Sequence, residues 1–165
     1  MRLKNYDRQK AFDYAQKWSF KRNPEYYNFD NVGGDCTSFA SQVLFSGSGI
    51  MNYEPLGWYY CSGNDKSASW SSVEYLHKFL TTNIKVGPFG KDSDFTELEA
   101  GDLIQLSFDG TTFSHTLVVV NQTPIKSLND IVVATHTFDA FNKPLTSYYY
   151  KKIRFIKIQG VRTWH

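Results

Sequence analysis

Gly33-Gly34-Asp35-Cys36-Thr37-Ser38-Phe39-Ala40-Ser41-Gln42-Val43-Leu44 joins a flexible turn, a cysteine and an amphipathic helix, in that order. The two glycines open backbone conformations closed to other residues and let a second chain approach. Asp35 is placed to cap the helix, its carboxylate accepting from the first free amides. Cys36, Phe39, Ala40, Val43 and Leu44 recur at helical spacing and share one face. Cys36 therefore falls in the first turn, where unpaired N–H groups and the helix dipole favour an anion. A thiolate is an anion, so the position is expected to lower the thiol pKa and activate the sulfur. The plainer reading of Cys36 is a small, inert, buried hydrophobe.

The chain has 165 residues, the size of one domain with a real core, and residues 1–165 are read as a single domain. A formal charge of +2 lacks the broad basic surface that nucleic acid requires. The cluster Lys151, Lys152, Arg154 and Lys157 reads as the outward face of a strand. No run of 18 apolar residues exists, so no membrane span is expected. The first seven residues, Met1 to Asp7, lack the apolar stretch of a signal peptide. The chain is expected to be cytoplasmic if complete, and secreted or wall-associated if cut from a longer exported protein. Of the two cysteines, a nucleophilic Cys36 leaves Cys61 as an ordinary thiol; the alternative is a Cys36–Cys61 disulfide, which a domain of this size does not need. Aromatic content is high at 17%, and many of these residues fall between Tyr53 and Trp70 in a stretch without periodicity. Such a stretch suits a ligand-contacting wall or a cap over the core.

Residues 6–20 read as a helix with Ala11, Tyr14, Ala15 and Trp18 on its apolar stripe, ended by Asn23-Pro24. The cysteine helix stops at Gly47 or Gly49. Ser71-Ser72-Val73-Glu74 matches a capping box and opens a third helix to about Leu80. Within it, His77 is read as structural. After Gly87-Pro88 the period changes from 3.6 to 2. Strands are expected at 103–108, 113–121 and 131–137, with Tyr148-Tyr149-Tyr150 and 153–158 completing a meander. Asp109-Gly110 marks a hairpin. Helices first and strands afterwards give an α+β fold with an antiparallel sheet.

A cysteine nucleophile needs a base, and the base needs an orienting group. Four histidines are available: His77, His115, His136 and the terminal, expectedly mobile His165. His115 opens the run Thr116-Leu117-Val118-Val119-Val120, and His136 closes Ile131-Val132-Val133-Ala134-Thr135. If these strands are antiparallel neighbours, the start of one lies beside the end of the other. His115 then serves as base and His136 orients it, with Asp139 as the competing orienter. A zinc site built from the cysteine and two histidines is the alternative chemistry. The helix-start setting of Cys36 suits nucleophilic chemistry better, so no metal and no cofactor are expected.

Gly34-Asp35-Cys36 opening a helix, Gly101-Asp102-Leu103-Ile104 opening a strand and His115 before a valine-rich strand together resemble the papain-like cysteine fold. More narrowly, residues 33–42, the Gly57-Trp58-Tyr59-Tyr60 segment and Ala134-Thr135-His136-Thr137-Phe138-Asp139 resemble the bacterial putative amidase domain family, related to the NlpC/P60 and CHAP cell-wall hydrolases. The resemblance runs from about Tyr6 to Val161 and implies a nucleophile helix packed on a C-terminal antiparallel sheet. By position it implies Cys36 as nucleophile, His115 as base, and His136 or Asp139 in the third role. The backbone N–H of Cys36 would hold the oxyanion.

The expected function is a cysteine-dependent hydrolase of amide or peptide bonds acting through a thioester. Its partner would be a peptide or amide substrate, with peptidoglycan peptides as the first candidate. Asp35, Trp58, Tyr59 and Trp70 are assigned to substrate binding, the aromatics as one cleft wall. The alternative is a catalytically silent module that binds cell-wall material or a protein.

Overall fold

The computed structural model describes residues 1–164; His165 lies outside the described residues. β1 (Arg2–Lys4) pairs with the far end of the chain, Arg2 opposite Thr163. α1 (Arg8–Trp18) starts at Asp7, whose carboxylate accepts from the Lys10 amide. It is shorter at both ends than residues 6–20. α2 (Cys36–Ser48) ends on Gly49 in the left-handed conformation. β2 (Tyr60–Ser62) and β3 (Asp65–Lys66) form a small hairpin inside the stretch that carries no sequence period.

The expected third helix forms, and an unexpected short helical element precedes it. α3 (Ala68–Ser71) and α4 (Val73–Thr82) meet at Ser72, whose extended backbone breaks the run. Ser72 caps α4 without a side-chain hydrogen bond, so the expected capping box does not form. β4 (Gly87–Asp92) begins at the Gly-Pro pair that reads as a breaker. β5 (Leu103–Ser107) and β6 (His115–Val119) form the hairpin signalled by Asp109-Gly110. There Asp109 accepts from the amides of Thr111 and Thr112, and Gly110 takes the φ of +83° that the turn needs. β7 (Val132–Thr135), β8 (Ala140–Pro144) and β9 (Lys152–Thr163) complete the fold. The tyrosine triplet is not a strand: it follows a 3₁₀ turn at Leu145–Ser147.

The architecture is α+β. Seven strands form one antiparallel sheet in the order β1-β9-β5-β6-β7-β8, with β4 pairing β9. The long β9 joins the N-terminal strand, β4 and the central strands into one sheet. Two members of the basic cluster are tied down, Arg154 bonding Gln105 and Glu74 while Lys157 pairs with Glu99 and Asp102.

Both sheet faces are covered, which is why β5 and β6 are wholly buried and read as continuous runs. On one face α1, α2 and α4 enclose Phe39, Val43, Leu44, Trp58, Trp70, Leu76 and Val118. On the other, Ile104, Leu106, Leu117, Val119, Ile131, Val133 and Leu145 pack beneath loops and 3₁₀ turns. Fully burying one such side chain is worth about 1.5–3 kcal/mol. Among the described residues no helix is long and apolar enough to cross a membrane.

Candidate active site

The approach to Cys36 is set by Gly34, which sits at φ +95° with a Cβ position only 3.1 Å from Thr137 Oγ1. A side chain there would be strained and crowded. Asp35 stands at the N-cap position but makes no side-chain capping bond. Its carboxylate is committed elsewhere. Oδ1 accepts from the Phe29 amide at 2.9 Å, and Oδ2 meets His136 Nδ1 at 2.6 Å and Arg22 Nε at 3.7 Å. Asp35 is therefore a buried anchor of the loop, and its expected substrate-binding role does not fit a side chain that is 1% exposed.

Cys36 opens α2 and is buried, whereas Cys61 is exposed; both are free. Its sulfur lies 3.7 Å from Thr37 Oγ1. Burial pushes the thiol pKa up, against the opposing pull of the Thr116 amide and the Thr37 hydroxyl and amide. This corrects the expectation of a thiol lowered by its helix position. Desolvation outweighs the few partial charges at a helix start, and the neighbouring Asp35 carboxylate adds to it.

His115 is the first residue of β6, opposite Leu106 of β5. Its ring is bordered by Phe108 and Tyr148, with centroids 6.2 Å away in each case. Nε2 lies 3.5 Å from Thr135 Oγ1. Burial pushes its pKa down to about 4, with Lys143 adding to the effect. Thus Cys36 and His115 both rest in their neutral forms near pH 7. Among the described residues no hydrogen bond links the sulfur to either buried histidine. The sulfur touches Thr116 of β6 directly, and the His115 ring is linked to the same residue only through Thr135. The Thr116 amide serves the sulfur, and the Thr116 carbonyl accepts from the Thr135 hydroxyl, at 3.1 Å, that also meets His115.

His136 does not meet His115. Extending the β6–β7 register from Val118–Ala134 sets His136 beside Thr116, on the α2 face of the sheet. There its ring stacks on Phe39 at 4.1 Å. Nε2 donates to the Trp18 carbonyl at 2.7 Å while Nδ1 shares a proton with Asp35. Both ring nitrogens are thus engaged away from His115, which corrects His136 as its orienter. Asp139 is equally committed, gripped by Arg22 through contacts of 2.9 and 3.0 Å. The role expected of it is corrected too. Strand alternation is the physical reason, because His115 and His136 leave neighbouring strands on opposite faces.

The aromatic assignments divide. Trp58 and Trp70 are fully buried, with ring centroids 5.0 Å apart, and belong to the core rather than to a cleft. Tyr59 is partly exposed and lines a cavity of about 560 Å³ with Tyr53, Leu56, Tyr75 and Lys78. Cys36 and His115 are not among its lining residues. His77 bonds Asp92 at 2.9 Å on the surface, a structural contact. Among the described residues no three His, Cys, Asp or Glu side chains gather as a metal site.

Sequence reading missed Thr37, Thr116 and Thr135, which make the polar lining around Cys36 and His115. Only the placement of Thr116 and Thr135 beside the two histidines hinted at them.

An uncharacterized protein of Bacillus subtilis (strain 168), YhbB, is 37% identical over 123 residues, covering 70% of this chain. The match spans 37% of that relative's length. No solved structure matches the chain. The profile of the family described as "Putative amidase domain" matches residues 5–159, nearly the whole chain, and the protein belongs to that family.

Proposed function

We propose that this domain is a cysteine-dependent hydrolase of amide bonds on a papain-like scaffold, with Cys36 as nucleophile and His115 as base. The observation that carries the reading is the placement of Cys36 at the start of α2 with its sulfur served by the Thr116 amide, the residue that follows His115 at the start of β6. Membership of an amidase-type family supplies the reaction class.

The resting groups are neutral, so the proton leaves sulfur as attack proceeds rather than beforehand. The His115 ring takes the thiol proton while sulfur bonds the carbonyl carbon. The Cys36 amide at the start of α2 holds the resulting oxyanion. The tetrahedral intermediate expels the amine, which receives the proton from His115, and leaves a thioester. Water, activated by His115, then attacks the thioester and releases the acid with the thiol restored. Resemblance to cell-wall hydrolases makes peptidoglycan peptides the first substrate.

A silent binding module is the second reading, favoured by the raised thiol and lowered imidazole. Incubation with peptidoglycan sacculi separates the two, with newly exposed amino groups as the readout. Release that is lost in Cys36→Ala and His115→Ala but kept in Cys61→Ala supports hydrolysis. Release indifferent to Cys36 overturns it. Sedimentation with sacculi without any release selects the binding module.

A further inference from the structure

Thr135 is fully buried, and its single hydroxyl proton faces two carbonyls. Oγ1 lies 2.8 Å from the His136 carbonyl and 3.1 Å from the Thr116 carbonyl. A carbonyl oxygen only accepts, and these two acceptors are nearer than any other, so the hydroxyl proton goes to one of them. The third neighbour, His115 Nε2 at 3.5 Å, meets the lone pairs of Oγ1. An oxygen that has already given its only proton to a carbonyl can only accept from that nitrogen. The neutral imidazole must then carry its proton on Nε2, which leaves the Nδ1 lone pair free.

We propose that Thr135, rather than His136 or Asp139, is the positioning residue for His115: its hydroxyl fixes the Nε2–H tautomer and presents Nδ1 as the basic nitrogen. The two side chains expected from sequence are closed to this role, being bound to Asp35 and Trp18 in one case and to Arg22 in the other. Phe108 and Tyr148 border the ring. A buried ring with one polar partner takes its tautomer from that partner. The role deepens the proposed hydrolase reading and rests on it for its catalytic meaning; the tautomer itself does not.

The test reads both separately. Two-bond ¹H–¹⁵N correlation spectra of the full chain at pH 7 report which nitrogen of His115 is protonated, assigned through His115→Gln. The expected result is Nε2–H in wild type and in Thr135→Ser, with Nε2–H lost or mixed with Nδ1–H in Thr135→Val. An Nδ1–H ring in wild type, or an unchanged tautomer in Thr135→Val, overturns the proposal. If Thr135→Val does not fold, the wild-type and serine spectra still decide it. A second readout is the pH profile of Cys36 alkylation by iodoacetamide in a Cys61→Ser background. Thr135→Val should slow this about tenfold, the rate equivalent of one lost hydrogen bond, with Thr135→Ser near the parent. Alkylation indifferent to His115→Gln, beside an intact tautomer result, would sink the hydrolase reading and leave the Thr135 assignment standing.

Discussion

His115 carries its consequences into stability as well as chemistry. Its folded pKa of about 4 lies below the ordinary histidine value of 6.5. Between those values the unfolded chain binds a proton that the folded chain refuses, so stability falls as pH drops from about 6.5 to about 4. Below that both states bind it and the loss is complete, up to about 3 kcal/mol. The difference in urea unfolding free energy between wild type and His115→Gln should show this slope. A parallel pH dependence in both proteins would refute the burial effect. The His136–Asp35 contact makes a second residue-scale prediction. Removing one member of a buried pair leaves the other unsatisfied, so His136→Ala should cost roughly 3–5 kcal/mol. Asp139→Ala removes a carboxylate that is 26% exposed and should cost only about 1 kcal/mol. Denaturant midpoints check both, and equal losses would contradict the contrast between a buried pair and a half-solvated one.

Helix α2 shows how context reverses a propensity. Gly47 lies in its last turns, where alanine ordinarily gains about 1 kcal/mol over glycine. Here an added Cβ would run into Tyr6 Cε1 and lie 2.9 Å from the Asp7 carbonyl. The close approach of the segment before α1 depends on that missing atom, and the Asp7 amide donates to the Gly47 carbonyl across the gap. Overpacking costs about 1–3 kcal/mol and outweighs the propensity. Gly47→Ala should therefore lower the thermal midpoint, and a rise would show that the two segments can separate freely. The same elements show what a single sequence reveals. α2 was legible because its start signal and apolar face agree, and the β5–β6 hairpin because Asp109-Gly110 sits between buried runs. β4 was hidden by Gly87, Pro88 and Gly90, which punctuate a sequence without breaking a strand whose register is held by β9. The triplet Tyr148 to Tyr150 misled because β-propensity says nothing of the 3₁₀ turn preceding it. At the site, the residue types of Cys36 and His115 were readable. The partners of Asp35 and His136 were not: they lie 101 positions apart, and local spacing carries no sign of which strand face each side chain leaves by.

At the scale of the whole molecule, the N-terminal segment and the sheet are held together around Asp102, the second residue of the Gly-Asp-Leu-Ile turn. That carboxylate is fully buried. Burial pushes its pKa up although Arg8 Nη1 stands 2.9 Å away and the Ile158 and Glu99 amides donate to it. Arg8 also donates to the carbonyls of Ala100 and Ile158, and Tyr6 to that of Gly101. One arginine in α1 thus fastens the helix layer to β9 and to the turn that opens β5. β1, by contrast, is exposed along its length and contributes pairing alone. Arg8→Ala should leave Asp102 with Lys157, at 3.3 Å, as its remaining cation among the described residues. The expected cost is about 3 kcal/mol, the low end for breaking a buried pair, because Lys157 remains. Deleting residues 1–4 should cost less than Arg8→Ala, since it strands no buried charge. Urea unfolding of the two variants decides the order. If the deletion proves the more damaging, the sheet edge at β1 rather than the Arg8–Asp102 contact joins the ends of the chain to its core.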